Sequence, residues 1–193
     1  MIHKELNVNL GLELKRGLQS MQLALSLEQE DLLLAYLSLL LKWNRAYNLT
    51  AIRDVNEMLV KHVFDALSVE SCLPSSGHWL DVGSGGGVPG LVLAIANPNR
   101  QWTLLDSNGK KTRFLMQAII ELGLKDRVSV VNMRAEDHQG QYDAIIARAV
   151  MDTCEFITLT QHLCVQNGAW WLMKGIFPSE ELLKVPATIA VSH

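Results

Sequence analysis

Apolar and polar positions keep two different rhythms along this chain. Over the first seventy-odd residues they recur at helical spacing; beyond residue 77, short apolar runs alternate with amphipathic stretches. The segment SLEQEDLLLAYLSLLLKWNRAYNLT opens with Ser26, a residue type that accepts a backbone amide at a helix start. It places Glu28, Glu30 and Asp31 near the positive end of the helix dipole, and Lys42 and Arg45 near the negative end. Its apolar positions are too dense for one face, which predicts packing both on a partner helix and on the main domain. A second helix, VNEMLVKHVFDALSVESCL, follows the connector NLTAIRD and stops before Pro74. Pro74, Ser75, Ser76 and Gly77 form a turn-rich linker, so residues 1–73 read as a helical extension packed on a core at 78–193.

In that core HWLDVG, WTLLD, RVSVVNM, YDAIIARAV and GAWWLMKG read as strands. The helical stretches between them are VPGLVLAIAN, NGKKTRFLMQAIIELGL and CEFITLTQHLC. Such alternation builds a parallel sheet with helices on both faces, an α/β Rossmann-like fold.

Composition narrows the function classes. A chain of 193 residues suits one domain with a small extension, and its net charge of −3 carries no overall basic footprint for nucleic acid, although a local patch can still serve. Cys72, Cys154 and Cys164 lack any C-x-x-C pairing and read as buried reduced thiols. The amino terminus does not resemble a signal peptide, and the longest apolar run, LLLAYLSLLL, has core-helix length. The expectation is a cytoplasmic protein with no membrane partner and no metal.

The chemistry centres on LDVGSGGGVPGL, residues 80–91, where a strand breaks into glycines and then into a helix. Gly83, Gly85, Gly86, Gly87 and Gly90 permit tight turning and close approach of a ligand to the backbone, with Val88 and Pro89 expected in the first helical turn. A P-loop needs Lys and Ser or Thr after the last glycine, where this chain has Leu91 and Val92. A hydrolase elbow needs glycine two residues before Ser84, where Val82 stands. Two adenosine-binding readings remain, a dinucleotide and S-adenosylmethionine (SAM). Both want an acid after the second strand to accept ribose hydroxyls, and Asp106 is so placed, with a helix N-cap as its alternative role. Asp81, before the first glycine, is harder to explain as scaffold; a carboxylate there repels pyrophosphate and favours the cationic groups of SAM.

The blocks KWNRAYNLT, LDVGSGGGVPG, LLDSNGKKTRFL, AED, IIARAV and LMKG, in this order, resemble the bacterial small-subunit ribosomal RNA methyltransferases of the RsmG or GidB family, from about residue 28 to about residue 185. The resemblance implies a class I methyltransferase fold and methyl transfer from SAM to N7 of a guanine in 16S rRNA. It implies that Gly83 and Val88 contact SAM through the loop, that Ala135 and Glu136 line the adenine, and that Arg148 stands at the ligand site; Gly85, Asp81 and Asp106 join this set on the physical grounds above. Without the resemblance, Glu136 reads equally as a solvated loop acid, and Arg148 as the partner of a structural carboxylate such as Asp143 or Asp152.

Guanine N7 carries an in-plane lone pair and no proton, so its methylation asks for alignment rather than acid-base chemistry. The chain agrees by having ARAV where amino-group methyltransferases place an Asn/Asp-Pro-Pro-aromatic motif, and Cys154 reads as a core thiol rather than a nucleophile. Lys42, Arg45, Arg53, Lys61 and His62, with Lys110, Lys111 and Arg113, are the candidates for contact with 16S rRNA in the 30S subunit or an assembly intermediate. Trp43, Tyr47 and Asn48 read as packing and capping groups. The chain runs only one short segment past its fifth strand, so a sheet lacking the last one or two strands of the class I fold, and a truncated tail, are expected. A SAM enzyme for a small molecule, a non-catalytic SAM-binding ribosome-assembly protein and an NAD-dependent oxidoreductase stay open as alternatives.

Overall fold

The computed structural model describes residues 2–148 and 151–192. Five strands, β1 (Gly77–Val82), β2 (Arg100–Leu105), β3 (Val128–Val131), β4 (Tyr142–Arg148) and β5 (Cys164–Met173), form one sheet in the order β3-β2-β1-β4-β5. Every neighbouring pair is parallel. The chain winds outward from β1 in one direction and resumes at β4 in the other, so a crevice opens at the carboxyl ends of β1 and β4. This is the predicted Rossmann-like α/β architecture. β5 is an edge strand, and among the described residues no antiparallel strand follows it. The predicted fourth strand ran on through Ala149 and Val150, which lie outside the described residues.

The helical extension comprises α1 (Ile2–Ser20), α2 (Leu27–Tyr47), α3 (Val55–Met58) and α4 (Asp65–Leu67). Ser26 caps α2 in a reciprocal capping box with Gln29. Gln29 works twice, since its Nε2 donates to the Ala96 carbonyl at 2.7 Å and so caps the end of a core helix, α5 (Gly90–Ala96). The second predicted helix is present but irregular: a π turn, Leu59–Phe64, joins α3 to α4, and a 3₁₀ turn, Glu70–Cys72, closes it. Asp54 caps its start.

Period-two alternation distributes the strands' side chains. Trp79 of β1 with Ala144 and Ile146 of β4 joins the large apolar cluster built from α2, α5 and α6 (Gly109–Glu121), among them Leu33, Leu37, Leu91 and Phe114. Leu80, Val82, Ile145 and Ala147 face the opposite side, where Phe156 of α7 (Thr153–Thr160) and Leu163 cover them. The extension therefore shares one core with the sheet. A polar anchor reinforces this junction: Arg100, fully buried, pairs with Glu70 at 2.6 Å, donates from Nε to the Pro74 carbonyl at 2.7 Å, and lies over the Trp79 ring.

Two local expectations need correction. Pro89 is the N-cap of α5 and precedes the helix instead of lying in its first turn, because residues 84–88 close on themselves through Gly87 and Val88 amides bonded to the Ser84 carbonyl. None of the three thiols is buried: Cys72 is exposed and Cys154 and Cys164 are half-buried. A short helix, α8 (Ser179–Leu182), completes the elements.

Candidate cofactor and catalytic site

The glycine loop is held from several directions at the carboxyl edge of the sheet. The amides of Gly83 and Ser84 donate to the Leu105 carbonyl at 2.8 and 3.1 Å, tying the end of β1 to the end of β2. Gly83 has a φ of +74°, and a Cβ built on it meets nothing within 4 Å, so its backbone lies open on one side. Gly90 needs glycine for the opposite reason: a Cβ there would stand 2.6 Å from both the Asp81 carboxylate and Leu104. Tyr36 of α2, fully buried, donates its hydroxyl to the Gly86 carbonyl at 2.7 Å. Burial raises the Tyr36 phenol well above its ordinary pKa, so it stays a proton donor.

Asp106, just past β2, accepts the Gly85 amide at 2.9 Å through Oδ2 and the Asn108 amide at 2.8 Å through Oδ1. It is not the N-cap of the following helix; Asn108 holds that place, accepting from Lys110. Lys111 Nζ lies 3.9 Å from Asp106 Oδ2. Gly83, Gly85 and Asp106 thus form one contiguous corner, and Asn132 beyond β3 joins it by donating to the Asp106 carbonyl at 3.0 Å.

Asp81 differs from its expected role. Its side chain is completely buried, with Oδ2 accepting the Gly90 amide at 2.9 Å, and it presents no surface to a ligand. The carboxyl is scaffold for the loop and the start of α5, a role set by the Gly90 amide nine residues on. Among the described residues Oδ1 has no hydrogen-bond partner. Burial raises the carboxyl from 3.8 to about 7, against the pull of the Gly90 amide and, farther off, the Arg148 charge.

Val88 is buried in the large cluster, so its side chain packs inward. Ala135 and Glu136 fall in a 3₁₀ turn after β3, Ala135 buried in the cluster that holds Val82 and Leu105, and Glu136 exposed. Glu136 also lines an open hollow of about 660 Å³ with Cys154, Leu159 and His162 of the α7 region. That hollow includes none of the loop glycines. Cys154 sits on its wall, not in the core, with Sγ 3.8 Å from the Glu181 carbonyl.

Arg148 ends β4 on the face shared with Ala144 and Ile146, which turns it toward the extension. It pairs with neither Asp143 nor Asp152. Asp143 accepts the His78 amide and Asp152 caps α7. Arg148 Nη1 donates to the Asp65 carboxylate at 2.8 Å and to the Lys61 carbonyl at 2.7 Å. His62, nearly buried, lies beside it, and burial together with the Arg148 charge lowers its pKa. Among the residues considered for RNA contact, Lys61 pairs with Glu57 and Arg53 donates to Asn48. Trp43 stacks on Tyr47 and meets Phe114 edge-on, and Asn48 caps α2, as packing and capping groups do. Tyr36, Asp65, Asn108 and the Glu70–Arg100 pair escaped the sequence reading. Only Asn108, immediately before a basic amphipathic helix, carried a local signal, that of a helix cap.

A parallel sheet with its switch point between β1 and β4, an open glycine backbone after β1 and an acid after β2 are features of Rossmann-like adenosine-binding folds, of which the class I SAM-dependent methyltransferase fold is one. A candidate SAM-dependent methyltransferase from Methanococcus maripaludis shares that fold, with a TM-score of 0.51 over 61% of this chain and 59% of that one at 17% identity. Residues 29–193 match the GidB family, described as rRNA small subunit methyltransferase G. Ribosomal RNA small subunit methyltransferase G of Pseudomonas paraeruginosa (strain PA7) is 48% identical over 181 residues, 93% of this chain and 84% of that protein. Its counterpart in Laribacter hongkongensis (strain HLHK9) is 48% identical over 186 residues, 95% and 89% of the two chains. The chain belongs to the rRNA small subunit methyltransferase G family.

Proposed function

We propose that this protein transfers the methyl group of SAM to N7 of a guanine in 16S rRNA, acting in the cytoplasm on the 30S subunit or an assembly intermediate. The observation that carries this reading is the family match across residues 29–193, whose glycine loop lies at the switch-point crevice with an open backbone at Gly83. The corner fits SAM. Gly83, Gly85 and Val88 offer backbone to it, Asp106 has lone pairs left for ribose hydroxyls, and Ala135 and Glu136 stand where the adenine would lie. Arg148 offers a cation at the end of β4, for the SAM carboxylate or for the guanine. Asp81 supports the loop through Gly90 rather than touching the ligand.

SAM supplies an electrophilic methyl on a sulfonium. The chain's part is to bind, orient and exclude water. N7 has no proton to surrender, so no residue is asked to take one, and the rate gain comes from holding the lone pair in line with the methyl carbon. Transfer of a tritiated methyl group to 30S subunits from cells lacking the activity, with the product located by N7-specific strand scission, tests the reading. Labelled 30S RNA that breaks at one guanine is expected. Label confined to small metabolites, or SAM binding without transfer, would replace it by a small-molecule enzyme or a non-catalytic assembly protein.

A further inference from the structure

The guanidinium of Arg148 is fixed by the helical extension, through a relay that starts in the KWNRAYNLT block. Asn44, buried, accepts the Thr50 amide at 2.9 Å and donates to the Ile52 carbonyl at 2.8 Å, which shapes the connector after α2. Thr50 Oγ1 accepts the Ile52 amide at 3.2 Å and lies 3.0 Å from His62 Nε2. His62 Nδ1 is 3.1 Å from the Lys61 carbonyl, an acceptor, so the proton sits on Nδ1 and Nε2 takes the Thr50 hydroxyl proton. The Lys61 carbonyl thus receives two donors, His62 Nδ1 and Arg148 Nη1, while the Asp65 carboxylate binds Nη1 as well. Lys61 and His62 lie within the π turn, a helix irregularity that recurs at functional sites.

This arrangement exceeds what stability asks of it. The Asp65 side chain is 47% exposed and that of Arg148 27%, and an ion pair so wet contributes little to folding. What the relay does achieve is orientation. Arg148 Nη2 lies 3.5 Å from a His62 nitrogen that already carries a proton, so Nη2 and Nε have no acceptor among the described residues. They remain a two-pronged donor edge of the sort that grips a carboxylate or a base carbonyl.

We infer that Asp65 is the positioning residue for Arg148, together with the Lys61 carbonyl that His62 Nδ1 also bonds, and that the extension thereby forms part of the methyl-transfer site. This rests on the proposed place of Arg148 at the ligand site. The experiment compares Asp65→Ala, Asp65→Asn, Arg148→Ala and the double variant Asp65→Ala/Arg148→Ala by SAM titration, kcat/KM for 30S methylation, thermal midpoint, and ¹⁵N NMR of the Arg148 guanidinium. Expected is a roughly ten- to hundredfold loss of kcat/KM in Asp65→Ala, smaller in Asp65→Asn, which keeps an acceptor. The thermal midpoint moves by no more than about 3 °C. The double variant loses no more than Arg148→Ala alone, and the guanidinium signals, restrained in the wild type, average in Asp65→Ala. Losses that multiply in the double variant, or unaltered guanidinium signals in Asp65→Ala, overturn the inference. An Arg148→Ala protein with full activity removes the ligand-site reading along with it. Impairment in Arg148→Ala but not in Asp65→Ala removes only the positioning role. A wild-type protein that fails on 30S subunits ends the functional proposal, and the NMR comparison then decides the positioning by itself.

Discussion

Asp106 holds Gly85: its Oδ2 accepts the Gly85 amide at 2.9 Å, so the loop after β1 and the turn after β2 move as one corner. Truncation at Asp106 therefore removes both the acceptor for ribose hydroxyls and the tie on the loop. Asp106→Ala is expected to weaken SAM binding by about 1.5–3 kcal/mol, the range for charge-assisted hydrogen bonds, read by calorimetry. An unchanged dissociation constant would leave Asp106 with the loop alone.

Tyr36→Phe deletes one hydroxyl from a fully buried ring and leaves the Gly86 carbonyl without that donor. The urea midpoint should drop by an amount equivalent to about 1–2 kcal/mol with an unchanged slope. A variant as stable as the wild type would show that the carbonyl finds another donor.

Glu70→Ala strands the Arg100 guanidinium, which is buried among the linker carbonyls and the Trp79 ring. Removing one partner of a buried pair costs about 3–5 kcal/mol, well beyond any exposed ion pair on the surface. Chemical denaturation measures it, and a loss below about 1 kcal/mol would show that Glu70 is not the counter-charge that matters.

Asp81 makes stability depend on pH in a stated direction. Its folded pKa, about 7, lies above the ordinary 3.8, so the native state binds the proton more tightly than the unfolded chain does. The stability owed to the neutral carboxyl is complete below about pH 4 and is lost as pH rises through about 7. At about 1.4 kcal/mol per tenfold in proton affinity, the full effect is on the order of a few kcal/mol. Asp81→Asn keeps an oxygen for the Gly90 amide and cannot ionise, so its advantage over the wild type should grow between pH 5 and pH 8. Parallel urea midpoints across that range would show that Asp81 does not titrate there.

His62 has the opposite sign. Its lowered pKa means that protonation favours the unfolded chain, so stability is lost as pH falls below the ordinary 6.5. The two slopes oppose each other below about pH 6.5, so His62 offsets part of the Asp81 dependence there. Thr50→Val, which removes the hydroxyl that holds the neutral Nε2, should reduce that offset, and thermal melts of wild type and variant at closely spaced pH measure it.

Much of the site was legible because it is local. The glycine loop, Asp106 and the Ala135–Glu136 turn each follow a strand that its own apolar run announces. The Ser26 cap and the charge-matched α2 were equally plain, since helix ends are written in adjacent residues. The interior of the second helix was not. Nothing in LVKHVF distinguishes a π turn from a regular one, and the partners of the groups it carries, Arg148 on the Lys61 carbonyl and Thr50 on His62, lie outside that stretch.

By itself the sequence determined the element order, the parallel α/β class, the family and the corner where the backbone is bare, all features of periodicity, turn chemistry and motif. Tertiary structure decided which carboxylate met which cation. Arg148 passed over Asp143, five residues away, and Asp152, four residues away, for Asp65, separated from it by 83 positions. Strand alternation aimed it at the extension's face of the sheet, and packing of the extension into the shared core brought Asp65 within reach. The same packing sealed Asp81 under the loop. Burial and pairing are properties of the assembled core, and charges far apart in sequence acquire their partners only when that core forms.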